Sequence, residues 1–324
     1  MTIRSAITAT GSFLPERIMS NAELESIVDT SDEWIFQRSG IRNRHISNDT
    51  ETAGYMATKA CERVLDMSEH NASDIDGIIV ATTTADRTFP SVATQVQHAI
   101  GAPVGIAFDI QAVCAGFVYA LGVADSMIKS GQLKRVLVVG SDRMSSILNW
   151  EDRTTCVLFG DGAGAVLLEA REGTGEGSDT GIHSCILKAN GKYQDILCTD
   201  GGVSTTQASG HIVMQGPEVF KRAVGYLSGI AEEIFADSGF SAEDIDWLIP
   251  HQANIRIIES AAKKLSMPMD KVVLTLENHG NTSAASIPLA LDDANRKGKI
   301  QPGELVLFEA LGGGLTWGAA LARF

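Results

Sequence analysis

Ala72-Ser-Asp-Ile-Asp-Gly-Ile-Ile-Val80 and Ala242-Glu-Asp-Ile-Asp-Trp-Leu-Ile-Pro250 each run from a polar Asp-Ile-Asp segment into a short apolar stretch. They lie 170 positions apart (242 − 72), and two further blocks keep that spacing. Ala115-Gly-Phe-Val-Tyr-Ala-Leu121 falls opposite Ala285-Ser-Ile-Pro-Leu-Ala-Leu291, and Val136-Leu-Val138 falls opposite Val306-Leu-Phe308. Three blocks in one register indicate an internal duplication. Each copy reads as a helix (Thr52 to Leu65; Glu218 to Phe235), an apolar strand, a second helix and another apolar strand. Short continuous apolar runs alternating with helices predict parallel strands covered on both faces. The expected architecture is therefore layered α/β, with halves spanning 1–172 and 173–324 packed about a pseudo-two-fold axis. Functional groups belong at their junction, near strand C-terminal ends.

Composition narrows the function classes. The 324 residues are 44% hydrophobic and 20% charged, as in ordinary globular proteins. A net charge of −14 opposes nucleic-acid binding, which needs a basic surface to meet phosphates. An anionic ligand must then find a local basic patch, for which Arg38, Arg42, Arg44, Arg153, Lys221, Arg222, Arg256, Lys263 and Lys264 are candidates. The first residues carry no signal-peptide pattern and no run reaches membrane-spanning length, so a soluble, cytoplasmic chain with no membrane partner is expected. Five cysteines without a Cys-x-x-Cys pair predict free thiols rather than a disulfide framework or zinc site.

Cys114 stands where a strand-like run gives way to a helix-like one. A thiol at a helix N-terminus meets unpaired N–H groups and the positive end of the dipole, which favour the thiolate nucleophile. Most cysteines are small buried hydrophobes, so position alone does not decide the matter. His251 ends the apolar run 246–250, in register with Ala81 of the first half, and thus at a strand mouth. Asn281, in Asn278-His-Gly-Asn-Thr-Ser-Ala-Ala-Ser286, precedes the helix that repeats the one after Cys114. His279 is the rival imidazole. Gly312-Gly-Gly314 follows the last predicted buried strand, and its bare backbone suits an oxyanion hole. Gly160-Asp-Gly-Ala-Gly164 lacks the Lys-Ser/Thr ending of a phosphate loop and reads as a structural turn into a strand.

At these residues the chain resembles the beta-ketoacyl-acyl-carrier-protein synthase III family, condensing enzymes with the thiolase fold, a layered αβαβα sandwich. The resemblance rests on Thr30-Ser-Asp-Glu-Trp-Ile35, the Cys114 segment, Asn149-Trp-Glu-Asp-Arg-Thr-Thr-Cys156, Pro250-His-Gln-Ala-Asn-Ile-Arg256, His279-Gly-Asn-Thr-Ser283 and Gly312-Gly-Gly-Leu-Thr-Trp-Gly318. It implies a decarboxylative Claisen condensation of acetyl-CoA, or another short acyl-CoA, with malonyl-acyl-carrier protein, by Cys114, His251 and Asn281. It further implies an oxyanion hole from the N–H groups of Cys114 and Gly313, coenzyme A contacts at Thr30, Trp34, Arg38, Arg153 and Phe220, and carrier-protein docking at Gln252, Ala253, Asn254, Ile255 and Arg256. Phe89 matches a residue that crosses a homodimer interface and shortens the primer pocket. No metal and no cofactor are implied, because coenzyme A is carried by a substrate. Pro217 departs from relatives with Asn there and removes a donor to pantetheine, and Pro288 is expected to kink its helix.

Other readings compete. Papain-like proteases share the order Cys, His, Asn, and the gap of 137 (251 − 114) lies within their range of roughly 130 to 150, but the signature around their cysteine is missing. Degradative thiolases need a second cysteine near the C-terminal glycine loop, and none follows Cys198. A related cysteine condensing enzyme making a different beta-keto product, of polyketide or quinolone type, is the remaining alternative.

Overall fold

A computed structural model describes residues 2–324. The first large sheet uses β1 (Thr2–Phe13), β2 (Gly77–Ala81), β3 (Ile106–Ile110), β4 (Arg135–Arg143) and β5 (Asp161–Gly173) in the order β1-β5-β4-β2-β3. The second uses β6 (Gly181–Ala189), β7 (Trp247–Pro250), β8 (Leu305–Gly312) and β9 (Thr316–Arg323) in the order β7-β8-β9-β6. Around them lie α1 (Asp32–Ser39), α2 (Ala53–Met67), α3 (Val92–Ile100), α4 (Gly116–Lys129), α5 (Gly216–Ser238), α6 (Ile255–Lys264) and α7 (Ser286–Arg296).

The sheets are mixed, which corrects the expectation of parallel strands. Strand β2 runs parallel to β3 and β4, and β7 parallel to β8, but β1, β5, β6 and β9 pair antiparallel. Of these, β5 and β9 lie inside their sheets and are largely buried, so hydrophobicity could not reveal their direction. The offset of 170 superposes β2 on β7 and β4 on β8 at their first residues. Where β3 would recur beside β7, the second half has a single parallel bridge, Leu248 to Val272.

Helices α4 and α7 lie between the sheets, where Phe117, Val118, Leu121, Ile287 and Leu291 meet β2, β4 and β8. Helices α2 and α3 cover the outer face of the first sheet, and α5 and α6 that of the second. This is the layered αβαβα arrangement. Burying each Ile, Val or Leu of these strands contributes about 1.5–3 kcal/mol, so the central segments Ile78-Ile-Val80 and Val306-Leu-Phe308 fix the layers. Helix starts follow local chemistry: the Thr52 side chain accepts from Tyr55 N–H and caps α2, while Pro217 sits in the first turn of α5, where no N–H is needed. Pro288 does not kink α7, because it too occupies the first turn, and it packs against Gly164. Arg44, a candidate for a surface patch, is instead fully buried and donates to the carbonyls of Met19 and Val157 and to Asn21 Oδ1. Burial pulls its pKa down to about 10, still well above neutrality.

Short 3-10 turns, Val113–Ala115 and Ser283–Ala285, lead into α4 and α7. Val113 (φ 48°) and Ser283 (φ 52°), again 170 apart, are both left-handed, and for a β-branched valine that conformation is strained. Each elbow presses on a glycine-bearing strand of the other half. A Cβ on Gly140 would lie 2.2 Å from Ala284 O, and one on Gly312 would lie 2.7 Å from Cys114 N.

Urea denaturation checks this packing. Gly140→Ala is expected to lower stability by about 1–3 kcal/mol, as overpacking does. Gly225→Ala, in α5 with nothing within 4 Å of the new methyl, should be neutral or stabilising by up to about 1 kcal/mol. Equal effects would contradict the close approach at Gly140.

Candidate active site

The Val113–Ala115 elbow, Asn281 just before the second elbow, and the glycine loop meet on the wall of one cavity of about 1040 Å³, which includes Cys114, His251, Asn281 and Gly313. Cys114 is 4% exposed, His251 7% and Asn281 5%. His251 directly follows β7, and its N–H donates to Glu309 O of β8 at 2.7 Å. Its Nδ1 lies 2.6 Å from Ser286 Oγ. Asn281 is held by its main chain to the segment leading into β5, through Asn281 N to Leu158 O at 2.9 Å and Gly160 N to Asn281 O at 3.0 Å. Its Oδ1 accepts from Ser283 N–H at 2.9 Å, leaving the Nδ2 protons free of protein acceptors among the described residues. His279 stacks edge-on against His45 and is not on the cavity wall.

Gly312 explains how an anion could be received. Lying so close that a Cβ would meet Cys114 N at 2.7 Å, it has no side chain to accept from that N–H, which has no acceptor other than its own thiol among the described residues. The position equivalent by the repeat is Asp142, whose carboxylate takes up the corresponding N–H. It accepts from Ala284 N–H at 3.1 Å and from Thr83 N–H at 2.7 Å. The N–H of one elbow is thus taken by an internal carboxylate, and that of the other meets no side chain from the equivalent position. Asp142 was missed in the sequence, although its alignment with Gly312 was there to be read.

The electrostatics correct the expectation of a resting thiolate. Burial pushes the Cys114 thiol up to about 12; the Ser283 hydroxyl opposes this and the charge of Asp142 reinforces it. Helix α4 offers its N-terminus, but the thiol is too desolvated to ionise unaided. Burial likewise takes His251 down to about 3, so its imidazole is neutral. Glu309, beside Pro250 in the ladder, has both carboxyl oxygens unpartnered and is pushed up to about 8 by burial.

Trp34, Arg38, Phe220, Ala253, Asn254 and Arg256 also belong to the cavity wall. The Arg38 guanidinium lies 4.4 Å from the Trp34 ring centre and that of Arg153 5.0 Å. Arg153 stands outside the wall and donates to Asp29 O. The Arg256 guanidinium lies 5.7 Å from the Phe220 ring. Thr30 is outside the wall, with a buried, unpartnered hydroxyl. Gln252, expected at a docking surface, is fully buried: its amide donates to Pro250 O and Val273 O and accepts from Thr275 N and Leu276 N. Asn254 caps α6 and donates to Arg38 O, and Ile255 packs on Gly40. Of that segment Arg256 alone is fully at the surface. Phe89 is 82% exposed and away from the cavity.

Comparison with known proteins shows the family. Family models of 3-oxoacyl-[acyl-carrier-protein] synthase III match residues 108–191, and of its C-terminal part residues 235–324. The chain is 56% identical to the beta-ketoacyl-[acyl-carrier-protein] synthase III of Paramagnetospirillum magneticum and 54% identical to that of a Ruegeria species, with 100% of both chains covered in each case. The crystal structure of the Aquifex aeolicus 3-oxoacyl-[acyl-carrier-protein] synthase III superposes with a TM-score of 0.93 at 45% identity, covering 99% of this chain and 100% of that one. With a cysteine, an imidazole and a carboxamide converging on a thiolase-like fold, the chain belongs to the beta-ketoacyl-[acyl-carrier-protein] synthase III family of acyltransferases.

Proposed function

We propose that the chain condenses acetyl-CoA, or another short acyl-CoA, with malonyl-acyl-carrier protein, the initiating step of type II fatty-acid synthesis. The observation that carries this reading is that Cys114, His251 and Asn281 share the wall of one cavity of about 1040 Å³. The half spanning 1–172 supplies the nucleophile, and the half spanning 173–324 the imidazole and carboxamide.

In the first half-reaction the Cys114 sulfur attacks the thioester carbonyl, and the carbon–sulfur bond to coenzyme A breaks. Coenzyme A leaves with the proton that Cys114 gives up. The N–H groups of Cys114 and Gly313 hold the oxyanion in between. In the second, the malonyl carboxylate leaves as carbon dioxide and its bonding electrons pass into an enolate, whose oxygen takes hydrogen bonds from His251 Nε2 and Asn281 Nδ2. The enolate carbon then attacks the acyl-cysteine, and its carbon–sulfur bond breaks to release the Cys114 thiolate, which takes a proton from solvent to restore the resting thiol. A neutral imidazole suits this role, because the charge it meets develops only in the transition state.

At the mouth, Trp34 and Arg153 would take the adenine between them and Arg38 the phosphates. Phe220 would line the path of the pantetheine arm, to which Pro217 offers no N–H. Arg256, with Lys263 and Lys264 on α6, would dock an acidic carrier protein, a local attraction that overcomes the net charge of −14.

A homodimer completes the reading. Strand β3 is an edge, its five residues are all half-buried, and Ile106, Phe108 and Ile110 lack full cover. Pairing of two β3 edges about a two-fold axis would cover them and bring Phe89 toward the neighbouring primer pocket. Sedimentation equilibrium should give twice the chain mass, and Phe108→Lys should give monomer. A wild-type monomer would end this part of the proposal.

His251→Ala and Asn281→Ala should still accept the acetyl group yet lose malonyl decarboxylation by about 10²–10³-fold, read as carbon dioxide release. The half-reactions should also differ in pH response. With a thiol near 12, acylation should rise with pH from about 6 to 9 as thiolate becomes more accessible. Decarboxylation by an imidazole near 3 should stay level over that range. Normal decarboxylation in both variants, or a histidine titration near 6.5 in that step, contradicts the assigned roles.

A further inference from the structure

We infer that Ser286 is a positioning residue that locks His251 in the tautomer carrying its proton on Nε2. The inference rests on the enolate-stabilising role proposed above. Ser286 opens α7, is buried, and places Oγ 2.6 Å from His251 Nδ1. The same oxygen accepts from Gln252 N–H at 3.3 Å. A serine hydroxyl has one proton and two acceptor sites. Among the described residues Nδ1 is the sole acceptor within reach of that proton, while one lone pair is engaged by Gln252. Nδ1 therefore accepts, and in a neutral ring the proton resides on Nε2.

The chemistry of the partner matters here. A carboxylate behind Nδ1 can only accept and fixes the opposite tautomer, the arrangement that leaves Nε2 as a base. Among the described residues His251 has no side-chain partner but Ser286. A hydroxyl whose lone pair is occupied leaves Nε2 as a donor, which an enolate oxygen needs and a base would repel. This also gives Gln252 a task. Its four side-chain hydrogen bonds hold the turn in which its own N–H faces Ser286 Oγ, so the residue expected on a docking surface orients the hydroxyl that orients the imidazole.

The test is ¹⁵N NMR of histidine-labelled protein without substrate, the His251 signals being identified by their loss in His251→Ala. A pyridine-like Nδ1 with a pyrrole-like Nε2 is expected, and the reverse pattern overturns the inference. In parallel, Ser286→Ala should accept acetyl groups at the normal rate but decarboxylate malonyl-acyl-carrier protein about 10- to 100-fold more slowly. Ser286→Thr, which keeps the hydroxyl, should recover most of that loss. Undiminished decarboxylation by Ser286→Ala also overturns it. Failure of the wild-type protein to decarboxylate malonyl-acyl-carrier protein would instead count against the proposed function, and the NMR result would stand apart from it.

Discussion

The site exists because two strained elbows are pressed against two strands with no intervening side chain. Val113 and Ser283 turn the chain through left-handed conformations into α4 and α7, and Gly312 and Gly140 let each elbow approach the opposite half. A methyl at either glycine would collide with main-chain atoms, which cannot move aside as a flexible side chain can. Cys114, at the tip of one elbow, and Asn281, just before the other, face the same cavity for this reason. His251 enters at the end of β7, level with Ala81, which ends β2 in the first half.

Duplication supplies the symmetry and two departures from it supply the chemistry. At one pair of equivalent positions Asp142 takes up the Ala284 N–H with its own carboxylate, while Gly312 has no side chain to offer Cys114 N. At another pair Ala81 is small and His251 carries the imidazole. Burial then keeps the thiol and the imidazole both neutral at rest, and arginines stand at the mouth. A neutral thiol and imidazole cost less to desolvate than an ion pair, and in the proposed reaction the amide, carboxamide and imidazole donors meet charge only as it develops.

Much of this was legible in the sequence because the duplication preserved spacing. The offset of 170 placed Cys114, His251 and Asn281 at elbow and strand-mouth positions, and the layered α/β class followed from buried apolar runs. Strand direction was not legible, since a strand buried on both faces reads the same either way. The thiol's ionisation was misjudged because helix position is a local property, whereas desolvation depends on everything packed around Sγ. Arg44 and Gln252 look like surface residues by type, and only the fold reveals carbonyls and amides arranged to satisfy them. Ser286 has no motif to betray it, because its meaning depends on one contact across 35 residues.

The central claim is that Cys114 is the acyl acceptor, and Cys198, which lines the same cavity, is a real rival. Incubation with acetyl-CoA, followed by peptide mapping by mass spectrometry, distinguishes them directly. One acetyl group on the Cys114 peptide, absent in Cys114→Ser, is the predicted result. Acetylation of Cys198, or labelling unchanged in Cys114→Ser, would contradict the account.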